Sequence, residues 1–383
     1  MKSIKHYVDA VQNRTMSYIN QRRGWTTDRK IIVIESDDWG SIRMPSREIY
    51  EKLLSYGIRV DKCGFCKNDS LATEEDLNLL FNLLLSHKDS NNNPLVITAN
   101  TLVANPDFEK IKESEFQEYY YKVITDSFKE NKDTENSLEI WKKGINENLF
   151  YVQSHGREHV NVNRWMNYLR GDYPETKFAF DHNVYGISTI ITSENRKSFL
   201  PAFDFESIEE ENKVNKIAQE GLQIFKEIFG FESKSFIASN YTWSKSLEKT
   251  LFENGVKYLQ GTHTTKIPII NKNTYKTNNR YLGKTNEFNQ IDLVRNVNFE
   301  PYSNPNKDWV DSTINKIDKA FKLKKPAIIS SHRVNFIGRI NKENRDNTLN
   351  IMDSLFKDVE KRWPDIEYMN SVQLGDVITD SKQ

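Results

Sequence analysis

Apolar residues along this chain follow two alternating rhythms. Short continuous runs such as Ile31-Ile32-Val33-Ile34, Leu95-Val96-Ile97 and Ala327-Ile328-Ile329 suit strands buried on both faces. Between them, apolar positions recur three and four residues apart, the spacing of a helix that buries one stripe. Strands are thus predicted at 31–36, 94–100, 149–154, 234–238, 256–259, 291–298, 326–331 and 366–369. Helices are predicted at 73–84, 114–129, 135–147, 161–170, 207–229, 244–254, 308–322 and 343–360, and another opens at Pro45-Ser46 and stops at Gly57. A lead-in helix is expected over 3–22. No period of 20 to 50 residues recurs, which excludes a solenoid or propeller.

Strand and helix in regular alternation imply a mostly parallel sheet, either open or closed into a barrel. Residues 1–25 form a helical lead-in in this reading, and 26–383 one α/β body. Two stretches break the rhythm, near 171–205 and 261–290, and are expected as insertions.

Three predicted strands end in polar clusters: Asp37-Asp38, His155 with His159, and His332. In a closed barrel all three converge on one rim, where such folds place their chemistry. Two adjacent carboxylates alone suit a turn or a helix cap equally well. In His155-Gly156-Arg157-Glu158-His159, however, two imidazoles stand four residues apart, close enough to share a metal ion. Neutral imidazole with carboxylate favours zinc, cobalt, nickel or iron over magnesium or calcium. Asp38, His155 and His159 would then be three ligands with one position left open. Hydrolysis at such a site needs a base and an acid, for which Asp37 and His332 are the candidates.

Composition narrows the class further. The 383 residues contain 54 Lys+Arg and 54 Asp+Glu, so no net field draws nucleic acid or anionic lipid. A signal-peptide core cannot be drawn through Met1–Trp25, and no window approaches a membrane span, so a cytoplasmic protein is expected. Cys63 and Cys66 are half of a zinc-ribbon site without a second half, read as a loop feature with reduced thiols.

These motifs resemble those of the NodB-homology polysaccharide deacetylases, carbohydrate esterase family 4, in order across about residues 30 to 370. Glu35-Ser36-Asp37-Asp38-Trp39-Gly40 is similar to the family's Thr-Phe-Asp-Asp-Gly strand end, and His155 to His159 has the spacing of its His-Ser/Thr-x-x-His motif. Phe236 to Tyr241, followed by Leu251 to Gly255, resembles the third motif, and Ile328 to His332 the last. The resemblance implies an incomplete (β/α)7 barrel and removal of N- or O-acetyl groups from a carbohydrate with a divalent metal, most often zinc. It makes Asp37 the base, Asp38, His155 and His159 the ligands, and His332 the acid. The third motif's Arg has no counterpart here, and Arg157 or Arg295 is expected in its place. Trp39 replaces a small residue and is expected to reshape the cleft, and Tyr241 is a candidate to stack on a sugar face.

Two rivals follow from the same residues. His155 to His159 also fits the His-x-x-Glu-His zinc-peptidase signature, with Glu158 as base. A barrel lacking the family's Arg could also serve as a non-catalytic carbohydrate-binding protein.

Overall fold

In a computed structural model the described residues are 22–272 and 274–382. The lead-in helix expected over 3–22 therefore falls outside them apart from Arg22. Thirteen strands are present among the described residues: β1 (Lys30–Trp39), β2 (Ile97–Leu102), β3 (Ala104–Pro106), β4 (Tyr121–Val123), β5 (Phe150–Gly156), β6 (Ser235–Phe236), β7 (Tyr258–Gly261), β8 (Thr264–Pro268), β9 (Tyr275–Asn279), β10 (Ile291–Val294), β11 (Val297–Asn298), β12 (Ala327–His332) and β13 (Ile366–Met369). The main sheet runs β10-β7-β6-β5-β2-β1-β12-β11, with β13 paired to the start of β1. Every pairing within it is parallel.

The two ends of this order are consecutive in the chain. Arg295 N–H donates to the Gly261 carbonyl at 2.9 Å, on the β7 side, and Asn296 N–H donates to the Ile328 carbonyl at 3.1 Å, on the β12 side. Asn296 adds its side chain to the second edge, donating to the Pro326 carbonyl and accepting from Ile328 N–H. The strand predicted over 291–298 is thus broken in the middle because it changes partners there. The result is the incomplete α/β barrel expected, with Arg295 and Asn296 at its seam.

Alternation along β1 explains how the barrel is filled. Ile32 and Ile34 face outward into the layer between sheet and helices, with Leu80, Phe81, Ile314 and Phe356. Ile31 and Val33 face inward and pack with Leu293, Ile328, Leu374 and Ile378. Leu374 and Ile378 belong to a helix, Ser371–Asp380, that plugs this end of the barrel and that the apolar pattern did not reveal. Its start is marked only by a capping box between Asn370 and Gln373. One and two steps further up β1, the inward positions are Glu35 and Asp37. The interior therefore turns from apolar to charged toward the strands' C-terminal ends.

Smaller departures from expectation are local. Only 124–129 of the helix predicted at 114–129 is helical, because β4 precedes it and pairs with β3. The insertion near 261–290 contains the β8–β9 hairpin, and that near 171–205 contains the helix Pro174–Phe180. Cys63 and Cys66 are buried free thiols, Cys66 lying in the short helix Gly64–Asn68. No described helix is long and apolar enough to cross a membrane. Thr73 caps the helix Glu74–Ser86 in a reciprocal box with Asp76. Thr73→Ala is accordingly expected to lower unfolding stability by about 1 kcal/mol, measurable in a urea titration.

Candidate metal centre and acid–base pair

Strict alternation would send neighbouring side chains to opposite faces of a strand. Asp37 and Asp38 escape this because β1 carries one extra residue between Ser36 and Trp39 relative to β2. Asp38 absorbs the bulge with φ 73°, a left-handed conformation that Asp tolerates better than most residues. A second irregularity falls at the end of β5, where Ser154 and Gly156 oppose the consecutive Thr101 and Leu102. Gly156 takes φ 113°, and a Cβ there would meet Phe203 at 2.9 Å, so no hydroxyl residue fits this position without rearrangement. Both strand ends that carry candidate ligands are thus bulged.

The bulges bring Asp38, His155 and His159 together. His155 Nε2 lies 3.4 Å and His159 Nε2 3.5 Å from the same oxygen, Asp38 Oδ1. One donor atom from each residue lies within 4.8 Å of the others, and all three residues are buried. Ligands ~2.1 Å from a tetrahedral ion stand ~3.4 Å apart, so the spacing suits one cation. Three further observations support the fit. Asp38 Oδ1 has no hydrogen-bond partner. His155 Nδ1 sits 2.8 Å from the Ile237 carbonyl, which fixes the proton on Nδ1 and turns Nε2 toward Asp38. Burial pushes the His159 imidazole down to about 4 despite the nearby Asp38 charge, keeping it neutral and able to ligate.

Asp37 lies beside this cluster with its charge held by others. Burial alone would raise its carboxyl, but Arg295 lowers it below the usual range. The guanidinium donates from Nη2 to Oδ1 at 2.6 Å and from Nη1 to Oδ2 at 2.7 Å, and from Nε to Glu35 Oε2 at 2.6 Å. Asn100 Nδ2 also donates to Asp37 Oδ1 at 2.8 Å and bonds in turn to Gln260. Arg295, not Arg157, thus meets the candidate base. Arg157 is turned away, paired to Glu158 at 2.6 Å and to Glu220.

His332 approaches from β12, its Nε2 3.8 Å from Asp37 Oδ2. Its Nδ1 sits 2.6 Å from Glu300 Oε1, and Glu300 Oε2 accepts from Asn335. Burial would lower this imidazole, but Glu300 and then Asp37 push it up to about 10. Its side chain is 26% exposed, the most open of the cluster.

Other expected residues fall in different places. Tyr241 is at the site, its hydroxyl 3.3 Å from Arg295 Nη1. Trp39 is not: after the bulge its side chain turns outward, is 1% exposed, packs edge-on against Trp141 and Phe150, and donates to Ser36. It offers no ring face to a sugar. Glu158 is spent on Arg157, and His155 lies on a strand end, so the geometry of a helical zinc-peptidase motif is absent. Glu35, Asn100, Gln260 and Glu300 entered no sequence expectation. Each is a polar residue at or just past the end of an apolar strand run, which was the available signal.

No protein-family model matches the sequence, and no curated protein sequence matches it. Among solved structures, the chain is similar to a putative polysaccharide deacetylase from Mycobacterium smegmatis, at 9% identity, covering 94% of this chain and 94% of that one, with a TM-score of 0.44. A putative glycoside hydrolase/deacetylase from Parabacteroides distasonis is similar at 10% identity over 92% of this chain and 72% of that one, with a TM-score of 0.47. An allantoinase is similar at 10% identity, covering 93% and 92%, with a TM-score of 0.44.

Proposed function

We propose that this chain is a metal-dependent hydrolase that removes an N- or O-acetyl group from a carbohydrate or a sugar precursor. The observation that carries this reading is the convergence of Asp38, His155 and His159 at the spacing of a single cation, around an unpartnered carboxylate oxygen. The resemblance of four short motifs to those of NodB-homology deacetylases adds the acetylated sugar as substrate. A divalent ion held there, zinc in the first instance and otherwise cobalt, nickel or iron, would polarise the acyl carbonyl and acidify a water.

The protein's own residues do the rest. Asp37, kept ionised by Arg295 and Asn100, takes the proton of the attacking water. His332, kept protonated by Glu300, delivers a proton to the leaving nitrogen or oxygen. Arg295 and Glu300 act through these two groups as positioning residues. Tyr241 borders the base and is placed to contact the substrate.

Elemental analysis of the purified protein, followed by an acetate-release assay on acetylated amino sugars, tests the reading. One equivalent of metal with acetate released is expected; no bound metal at neutral pH overturns it. Metal without turnover on any acetylated sugar would favour the non-catalytic alternative. A finer check concerns the acid. It must be protonated to act, so activity falls as pH rises through the His332 pKa. Glu300→Gln removes the charge that raises this pKa, and the alkaline limb of kcat/KM is expected at lower pH in the variant, read from a pH–rate profile.

A further inference from the structure

Buried arginines among the described residues are paired with carboxylates, with one exception beside the site. Arg295 faces Glu35 and Asp37, Arg333 faces Asp69, Arg345 faces Asp76, and the remaining buried arginines among the described residues likewise have carboxylate partners. Arg43 is 7% exposed, yet it makes no hydrogen bond or ion pair with a described residue, and its Nε is buried without any partner. An unpaired guanidinium in such a position is costly unless something outside the chain meets it.

Its surroundings place it on the substrate side. The guanidinium carbon lies 5.3 Å from the centroid of Phe65, and the Phe65 ring stands edge-on to the His332 imidazole at 5.3 Å. Arg43 and the candidate acid thus flank one aromatic ring. Asp38 and His159 feel its charge, as do Tyr185 and the Cys63 and Cys66 thiols, none of which bonds to it. Room for the side chain comes from Gly186, where a Cβ would stand 2.8 Å from Arg43 Cδ and 3.0 Å from Nη1.

We propose that Arg43 binds an oxyanion group of the substrate, a carboxylate or a phosphate, beside the acetyl group that is removed, so that the preferred substrate is an acidic acetylated sugar. This rests on the deacetylase reading for the reaction but not for the binding. An arginine fits such a group with two parallel N–H donors, which gives selectivity as well as attraction.

Two measurements test it. In the first, calorimetry on the metal-loaded wild type compares glucuronate, glucose 6-phosphate and glucose, and repeats the series with Arg43→Met. Binding of at least one anionic sugar, weakened about 10- to 100-fold by the substitution, is expected, and which of the two binds separates carboxylate from phosphate. No binding of either anion to the wild type, or no weakening in the variant, overturns the proposal, whether or not the protein releases acetate. Should wild type bind the anion but hydrolyse nothing, the deacetylase reading fails alone. In the second, the ratio of kcat/KM for acidic over neutral acetylated sugars is expected to fall about 10- to 100-fold in Arg43→Met and to recover partly in Arg43→Lys. Equal losses on both series would assign Arg43 to the shared acyl chemistry or to the fold, and so overturn it. Melting separates these, because deleting an unpaired buried charge leaves the melting temperature level or raises it.

Discussion

Asp38→Ala is expected to purify without stoichiometric metal and to release no measurable acetate, while Glu158→Ala is expected to keep both metal and activity. The contrast follows from where the two carboxylates are spent. Asp38 Oδ1 is the atom both imidazoles face and has no other partner. Removing it leaves two histidines, too few to retain a divalent ion against dilution. Glu158 serves Arg157, which would still keep Glu220. A zinc peptidase of the His-x-x-Glu-His type would differ in both variants: Glu158→Ala would keep its metal but lose activity, and Asp38→Ala would keep its metal. Metal content by elemental analysis and acetate release on the same samples decide between them. Asp37→Asn belongs in the same series: it should keep the metal and lose about 10²- to 10⁴-fold in rate, the usual weight of a positioned base.

The largest stability effect is expected at Arg295. Arg295→Met takes from the buried carboxylates Glu35 and Asp37 the guanidinium that bonds both, leaving only His332 as a nearby cation, a change that costs about 3–5 kcal/mol at neutral pH. The pH dependence gives the cause away. In the wild type the Asp37 pKa is depressed, so its contribution is present above the ordinary carboxylate range and is lost as pH falls through the folded value. In the variant both carboxyls would be raised by burial, and protonation would relieve the folded state. The stability gap between the two proteins should therefore narrow as pH falls, in denaturant titrations across the acid range. A gap that stays constant would mean that the loss comes from packing. Activity would show the same shift from the other side, since a base with a raised pKa is ionised only at higher pH.

Much of this site could be read from residues that end apolar runs. Asp37, Asp38, His155, His159 and His332 all stand where a strand pattern stops, and the structure brings these five to one rim. The pattern could not show which way each residue turns. The bulge at Asp38 depends on pairing with β2, a partner more than fifty residues away, and that single extra residue decides that Trp39 goes into the core. Arg295 and Arg157 were equal candidates in sequence, the first inside the strand expected over 291–298 and the second just past the strand expected over 149–154. Only the seam, where the chain changes partners after Val294, aims Arg295 at Asp37. The C-terminal helix escaped the pattern for a different reason: its buried apolar residues, Val372, Leu374 and Ile378, do not keep a three-and-four spacing, and its job is to close a barrel end rather than to cover a sheet.

Arg295 lies within the two-residue link between the sheet's edge strands, and it also supplies the charge that keeps Asp37 ionised. Ring closure and base activation are therefore one event. A chain whose last strands have not docked leaves Glu35 and Asp37 open to water, ionised but without the guanidinium that orients them. Under the proposed function, a competent base would therefore require the completed seam.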